Sequence, residues 1–205
     1  MSTSSLSRGV LGLIVRSMAG VACAIALTTT QVAAQQAFVT LKGDLKKEVW
    51  WLIADFHPFT TEVRGIPANQ IRKSWCKATE FRKDLIPKEL LFEGGVDVMQ
   101  SAGMSFAVEG RFDGTAARQV AVVGVFQECG GPKGRFILIL DHPADGKPKI
   151  RFVNAVRTDR QFGALRKGKG GTLVASACME CDDSSVLKWD RKKRKFDWVP
   201  QADDL

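Results

Sequence analysis

From Glu93-Gly94-Gly95 onward the chain alternates apolar and polar residues with the period of a β-strand. Met104, Phe106, Val108, Gly110 and Phe112 interleave with Ser, Ala, Glu and Arg, the pattern of a half-buried strand. Residues 119–126 and 135–140 are almost wholly apolar and read as more deeply buried strands. The turn formers of Asp141-His-Pro-Ala-Asp-Gly146 place a hairpin between Leu140 and Ile150. Three further strands are expected at residues 172–177, 186–189 and 195–199, with a short helical turn at 162–165.

Upstream the spacing is helical. Asp44 is placed to cap a helix over Leu45–Phe56, which His57-Pro58 ends. Pro67 sits at the start of a second helix, and Ile71, Trp75, Ala78 and Leu85 recur on roughly one face of it. Pro87 closes this helix or begins a further turn through Leu91. Trp50, Trp51 and Trp75 then serve to pack helices onto a sheet, since large aromatics dominate core burial. The expected fold is α+β, an N-terminal helical segment packed on an antiparallel β-sheet or small sandwich. No internal repeat stands out.

Residues 1–34 contain no Asp or Glu. Arg8 and Arg16 precede an apolar run over residues 17–27, too short to span a bilayer, and Val32-Ala33-Ala34 supplies small residues for a signal peptidase. The organisation follows: residues 1–34 as a cleavable signal peptide, 35–95 as a mainly helical part, and 96–205 as a β-rich part joined to it in one globular unit. Cleavage before Gln35 leaves 171 of the 205 residues and, with Arg8 and Arg16 gone, lowers the formal charge from +8 to +6. No later apolar stretch is long enough for a transmembrane segment, so the processed protein is expected to be soluble, periplasmic or secreted. A basic exported protein suits an anionic envelope polymer or an acidic protein partner; nucleic acid is not expected.

Loss of Cys23 from the five cysteines leaves Cys76, Cys129, Cys178 and Cys181, an even set in an oxidising compartment. Four cysteines allow three pairings, which spacing does not distinguish. We favour a local Cys178–Cys181 bridge, with Cys76–Cys129 tying the helical part to the strands.

Phe106-Ala-Val-Glu-Gly-Arg-Phe-Asp-Gly114, followed by Val120-Ala-Val-Val123, resembles the strand–loop–strand motif of FG-GAP-type repeats. That resemblance covers residues 106–126 and implies two strands around a loop; family members assemble such repeats into propellers and often bind calcium through acidic loop residues. Here Thr-Ala-Ala-Arg-Gln follows Asp113-Gly114, so the other carboxylate ligands that a hard cation requires are missing.

Catalytic patterns are sparse. Cys178-Met-Glu-Cys181 has thiol–disulfide oxidoreductase spacing, but Glu180, Asp182 and Asp183 would raise a thiol pKa, which favours a structural bridge. Zinc would need a second closely spaced ligand pair, which the spacing of Cys129, His57 and His142 does not provide. Asp55-Phe-His57 and Asp141-His142 could each orient a general base, with Ser101 as a nucleophile, although Met99 stands where a nucleophile elbow has Gly. No spacing selects a glycosidase pair among Glu62, Glu80, Glu89, Glu93 and Glu109. No catalytic residue, metal or cofactor is therefore assigned.

The strongest surface feature is the basic run Lys188-Trp189-Asp-Arg191-Lys192-Lys193-Arg194-Lys195, with Trp198 close behind and Arg166-Lys-Gly-Lys169 as a second basic segment. On adjacent hairpin ends these would form a cationic rim for an acidic partner, or a solvated edge protected by like charges. The sequence thus favours a non-enzymatic binding protein of inhibitor, immunity or assembly type. The alternative is a periplasmic enzyme, either a hydrolase with an Asp–His pair or an oxidoreductase using Cys178 and Cys181.

Overall fold

The computed structural model describes residues 38–141, 146, 148–180 and 184–199. The expected leader, His142, Cys181, Asp182 and Asp183 lie outside these residues. The apolar run at 119–126 becomes the middle of a five-stranded antiparallel sheet. Strands β5 (Trp75–Glu80), β8 (Ala107–Gly110), β9 (Gln119–Glu128), β10 (Lys133–Asp141) and β11 (Lys149–Arg157) compose it. Its order is β11-β10-β9-β5, and β8 also pairs with β9. The hairpin expected across residues 140–150 is the β10–β11 pair, in which Leu140 faces Ile150.

Side chains of this sheet divide by parity between two cores. Ala121, Val123, Val125 and Ile139 enter one, with Leu165, Leu173, Leu187 and Phe196 of a second, four-stranded sheet. That sheet is formed by β12 (Ala164–Lys167), β13 (Leu173–Ser176), β14 (Ser184–Asp190) and β15 (Lys195–Val199), in that order. Val120, Val122, Phe126, Phe136, Leu138 and Leu140 enter the other core, beneath Val63, Ile66 and Ile71. Burial on both faces explains why β9 and β10 read as nearly continuous apolar runs, whereas β14 and β15 alternate. A backbone bridge between Ser105 and Leu165 joins the sheets at one corner.

The front of the chain differs from the expected long helices. Around residues 45–56 only Trp50–Ile53 (α1) is helical, and Ala54–Phe56 (β2) pairs with Val39–Leu41 (β1). Asp44 does accept the Lys46 N–H at 2.9 Å, but Val49 is extended and stops that turn from propagating. Trp50 and Trp51 are buried against Phe162, so their packing role holds without a long helix.

The second expected helix is instead a hairpin, one helical turn and a strand. Glu62–Val63 (β3) pairs with Ile66–Pro67 (β4), Ala68–Ile71 is α2, and β5 follows. The register of β5 on β9 shifts between Trp75 and Lys77, making Cys76 the extra residue of a bulge. An inserted residue lets Trp75 and Ala78, three apart, enter the same core. That is the spacing a helix would give. Trp75 stacks on Phe126 at 4.4 Å between ring centroids. Residues 162–165, read as a helical turn, instead lead into β12.

A repeat invisible in the sequence emerges here. Phe92–Glu93 (β6) and Val96–Asp97 (β7) form a second hairpin, Val98–Ser101 (α4) follows, and β8 then joins β9. Lys88–Leu91 (α3) precedes it. The hairpin strands and the helical turn each start thirty residues after their counterparts, Glu62 and Phe92, Ile66 and Val96, Ala68 and Val98. Both tight turns carry positive φ at their two central residues, 53° and 78° at Arg64-Gly65 and 58° and 83° at Gly94-Gly95. Hairpins favour such turns because their twist matches that of the strands. The side chains differ, which hid the relation. The architecture is therefore α+β, with one-turn helices distributed along residues 50–101 and packed against the sheet instead of forming a helical N-terminal part.

Cys76 and Cys129 are joined across the β5–β9 edge with 5.0 Å between their Cα atoms. Their separation of 53 residues predicts that C76S/C129S loses about 4 kcal/mol of unfolding free energy through the restored loop entropy. Urea unfolding of the oxidised protein and the double variant measures this; equal midpoints and slopes would show that the bridge does not stabilise the fold.

Candidate functional site

The basic run lies at the end of the β14–β15 hairpin. Asp190 closes the connection by accepting the N–H groups of Lys192 at 2.8 Å and Lys193 at 3.0 Å, and Arg194 turns the chain with φ 52°. The pairing sets Leu187 opposite Trp198, Lys188 opposite Asp197, Trp189 opposite Phe196 and Asp190 opposite Lys195. Leu187, Trp189, Phe196 and Trp198 therefore share one face, and Lys188, Asp190, Lys195 and Asp197 share the other. The indoles and two of the lysines expected beside them are thus split between faces.

Local carboxylates also reduce the free charge. Lys193 reaches Asp197 at 3.0 Å and Asp190 at 3.6 Å, and Lys195 reaches Asp197 at 2.9 Å. Hydrogen bonds from Lys195 and Lys193 hold the Asp197 carboxyl below its ordinary pKa. Among the described residues Lys188, Arg191, Lys192 and Arg194 make no ion pair.

The facing wall is the loop between β8 and β9. Asp113, whose side chain is 1% exposed, accepts the Thr115 backbone N–H at 2.9 Å, the Thr115 hydroxyl at 2.7 Å and Arg151 Nη2 at 2.9 Å. Gln119 Oε1 accepts the N–H groups of Phe112 and Asp113, and its amide donates to Asp141 at 3.0 Å. Burial pushes the Asp113 carboxyl up, but Thr115 and Arg151 outweigh it and hold the pKa below the usual carboxylate value. Arg151 also lies 3.5 Å from Asp141 and stacks 5.8 Å above the Trp189 ring. It thereby ties the loop, the end of β10 and the hairpin together. The carboxylate that resembles a calcium ligand is committed to a guanidinium and a turn.

Between these walls is an open cleft of about 950 Å³. Lys188, Trp189, Arg191, Lys192, Lys193, Lys195 and Trp198 line it, leaving only Arg194 of the expected cluster outside. Arg111, Phe112, Gly114 and Gly170–Thr172, which were not anticipated, also line it, together with Val199 and three carboxylates, Asp113, Asp190 and Asp197, each of which is held by a basic side chain. Arg191 crosses toward the loop, with Nη2 3.7 Å from where a Cβ on Gly114 would stand. No motif could have pointed to Arg111 or the glycines, which reach the site only through the packing of the two sheets.

Elsewhere the candidate chemistry divides. Cys129 is committed to Cys76 and cannot ligate zinc as a thiolate. Cys178 is buried and also disulfide-bonded, while its expected partner, Cys181, lies outside the described residues. Ser101 donates to the Val98 carbonyl at 3.0 Å within α4. Glu80 pairs with Arg64 and Glu109 with Arg118.

Asp55 and His57 do meet, with 3.7 Å between Asp55 Oδ2 and His57 Nε2. Thr40 Oγ1 lies 3.0 Å from the same ring nitrogen, and Lys133 Nζ lies 3.4 Å from Nδ1. Burial raises the Asp55 carboxyl, but Lys133 at 3.0 Å and Lys42 at 3.1 Å outweigh it and leave the pKa lowered. Among the described residues no group of three or more His, Cys, Asp or Glu side chains could hold a metal ion.

Compared with known protein families, curated proteins and solved structures, the chain matches none.

Because Asp113 titrates lower folded than unfolded, its contribution is present above the unfolded Asp pKa of about 3.9 and is lost as pH falls through the folded value. D113N should lose about 2 kcal/mol at pH 7, the scale of a buried hydrogen-bonded charge whose partner is part-exposed. That difference should shrink as pH falls through the lowered folded value and approach zero beneath it. Urea midpoints of both proteins across this range decide it, and a constant difference would contradict the assignment.

Proposed function

We propose that this is an exported, non-enzymatic binding protein whose cleft between the β14–β15 hairpin and residues 111–114 receives an anionic partner of the envelope or extracellular space. The observation that carries this reading is the convergence of Arg111, Arg191 and Lys192 on one concave surface beside Trp189. Their positive charge is not cancelled by ion pairs among the described residues. Such a field draws an anion in, and arginine then pairs with it directionally. The leader-like residues 1–34 and the Cys76–Cys129 bridge support an oxidising compartment outside the cytoplasm.

Pull-down of envelope material tests the reading. R191Q/K192Q should reduce recovery of a salt-sensitive partner roughly tenfold, as expected for removal of two central charged contacts. The control R72Q/K73Q makes the same change in net charge outside the cleft lining and should leave recovery intact. Equal behaviour of the two variants would remove the cleft from the account.

A second reading, a periplasmic hydrolase using an Asp–His pair, has the Asp55–His57 contact in its favour. It is the chemically more explicit reading, because an imidazole lies 3.7 Å from a carboxylate and 3.0 Å from a hydroxyl, that of Thr40. Its geometry departs from a triad in that carboxylate and hydroxyl approach the same ring nitrogen, while Lys133 faces the other. If this pair is catalytic, H57A will abolish hydrolysis of envelope substrates at an unchanged melting temperature; activity that survives H57A excludes it. The oxidoreductase form of the enzyme reading is weaker, since Cys178 is buried and an exchanging disulfide must be accessible.

A further inference from the structure

Resting on the anion-binding reading, we infer that the cleft takes an acidic polysaccharide, a chain of sugar rings bearing carboxylate or sulfate groups. Concavity is the first argument. An acidic protein face would need a broad surface with well over 1,000 Å² buried in total, whereas an open cleft of about 950 Å³ lies at the upper end of the range for small ligands and suits a short oligomer.

The second argument is the chemistry of the walls. Trp198 is 38% exposed and Trp189 is half-buried, and both line the cleft with Arg111 and Arg191. The apolar C–H face of a pyranose ring packs on an indole plane, while its acidic substituents reach guanidinium groups. A polypeptide of Glu or a polyphosphate offers the charges without the rings.

Preorganisation is the third. Trp189 is held from two sides, by Phe196 at 4.9 Å between centroids and by Arg151 at 5.8 Å. Arg151 is itself fixed by the buried Asp113, so one indole and one wall of the cleft are set before a ligand arrives. Gly114, Gly170 and Gly171 all have positive φ and bear no side chain, which lets a chain pass close to the backbone. Asp190 and Asp197 occupy Lys193 and Lys195, so Arg111, Arg191 and Lys192 supply the charge that meets the sugar acids.

The probes are oligogalacturonate for ring carboxylates, a heparin oligosaccharide for ring sulfates and poly-L-glutamate for charge without rings, each titrated into the purified protein with calorimetry and tryptophan fluorescence. At least one glycan should bind with a change in indole emission, and W198A should weaken it roughly tenfold while leaving the melting temperature within a few degrees. R191Q/K192Q should weaken the same glycan and flatten its salt dependence. The two glycan arms distinguish carboxylate from sulfate recognition. Poly-L-glutamate binding as tightly as either glycan, with W198A indifferent, overturns the polysaccharide assignment and leaves an acidic protein partner for the same cleft. Absence of salt-sensitive binding to all three probes overturns the polysaccharide assignment and the anion-binding reading together.

Discussion

Eight consecutive residues of β9, Gln119 to Phe126, are buried, and satisfying that strand is the constraint around which the molecule is arranged. Its backbone is paired on one edge by β10 and on the other by β5 and β8 in tandem. Its odd-numbered side chains need the four-stranded sheet, and its even-numbered ones need the β3–β4 hairpin and α2. Crowding leaves no room for error. At Gly124 a Cβ would stand 2.3 Å from the Thr79 carbonyl oxygen, so the close approach of β5 depends on the missing side chain. The polar first residue, Gln119, is hydrogen-bonded through both ends of its amide, its side chain gathering the loop at residues 112–113 and Asp141. The same strand that anchors the core thereby fixes one wall of the cleft.

Sequence legibility follows this arrangement. Most strands after residue 104 could be read because β9 and β10 are buried on both faces and β14 and β15 alternate, whereas β12, four residues with neither pattern, was read as a helical turn. The front could not, since its regular pieces are only a few residues long. One bulge at Cys76 converts a strand's period into the three-residue spacing of Trp75 and Ala78, and Trp50–Ile53 is a single helical turn between turn and strand. Of the site, the hairpin wall was visible because its charges are contiguous in the chain. The facing wall was hidden because Arg111, Asp113 and Gly170–Gly171 meet the hairpin only after both sheets form. Alternation within the hairpin could have warned that neighbouring Lys188 and Trp189 point to opposite faces.

The contrast between Asp113 and Asp55 separates two uses of a carboxylate. Both are held below their ordinary pKa, Asp55 by Lys133 and Lys42 and Asp113 by Thr115 and Arg151. Asp113 is sealed from solvent and spends its oxygens on one loop and one guanidinium, which makes it architectural. Asp55 sits on β2 among Lys42, Lys133 and His57, with its side chain 12% exposed. The first supports one wall of the cleft; the second is what gives an acid–base reading any footing.

The paired hairpin–turn–strand units are held to the sheet in different ways. They occupy successive stretches of one edge of β9, residues 124–128 and 119–122, so neither stretch is covered by a long strand. The Cys76–Cys129 bond stands at the outer end of the first stretch and tethers β5 to the end of β9. The second stretch is covered by β8, which four residue pairs and its packing hold in place. Reduction therefore loosens one half of this edge selectively, and the disulfide sets which of two similar units is the firmer.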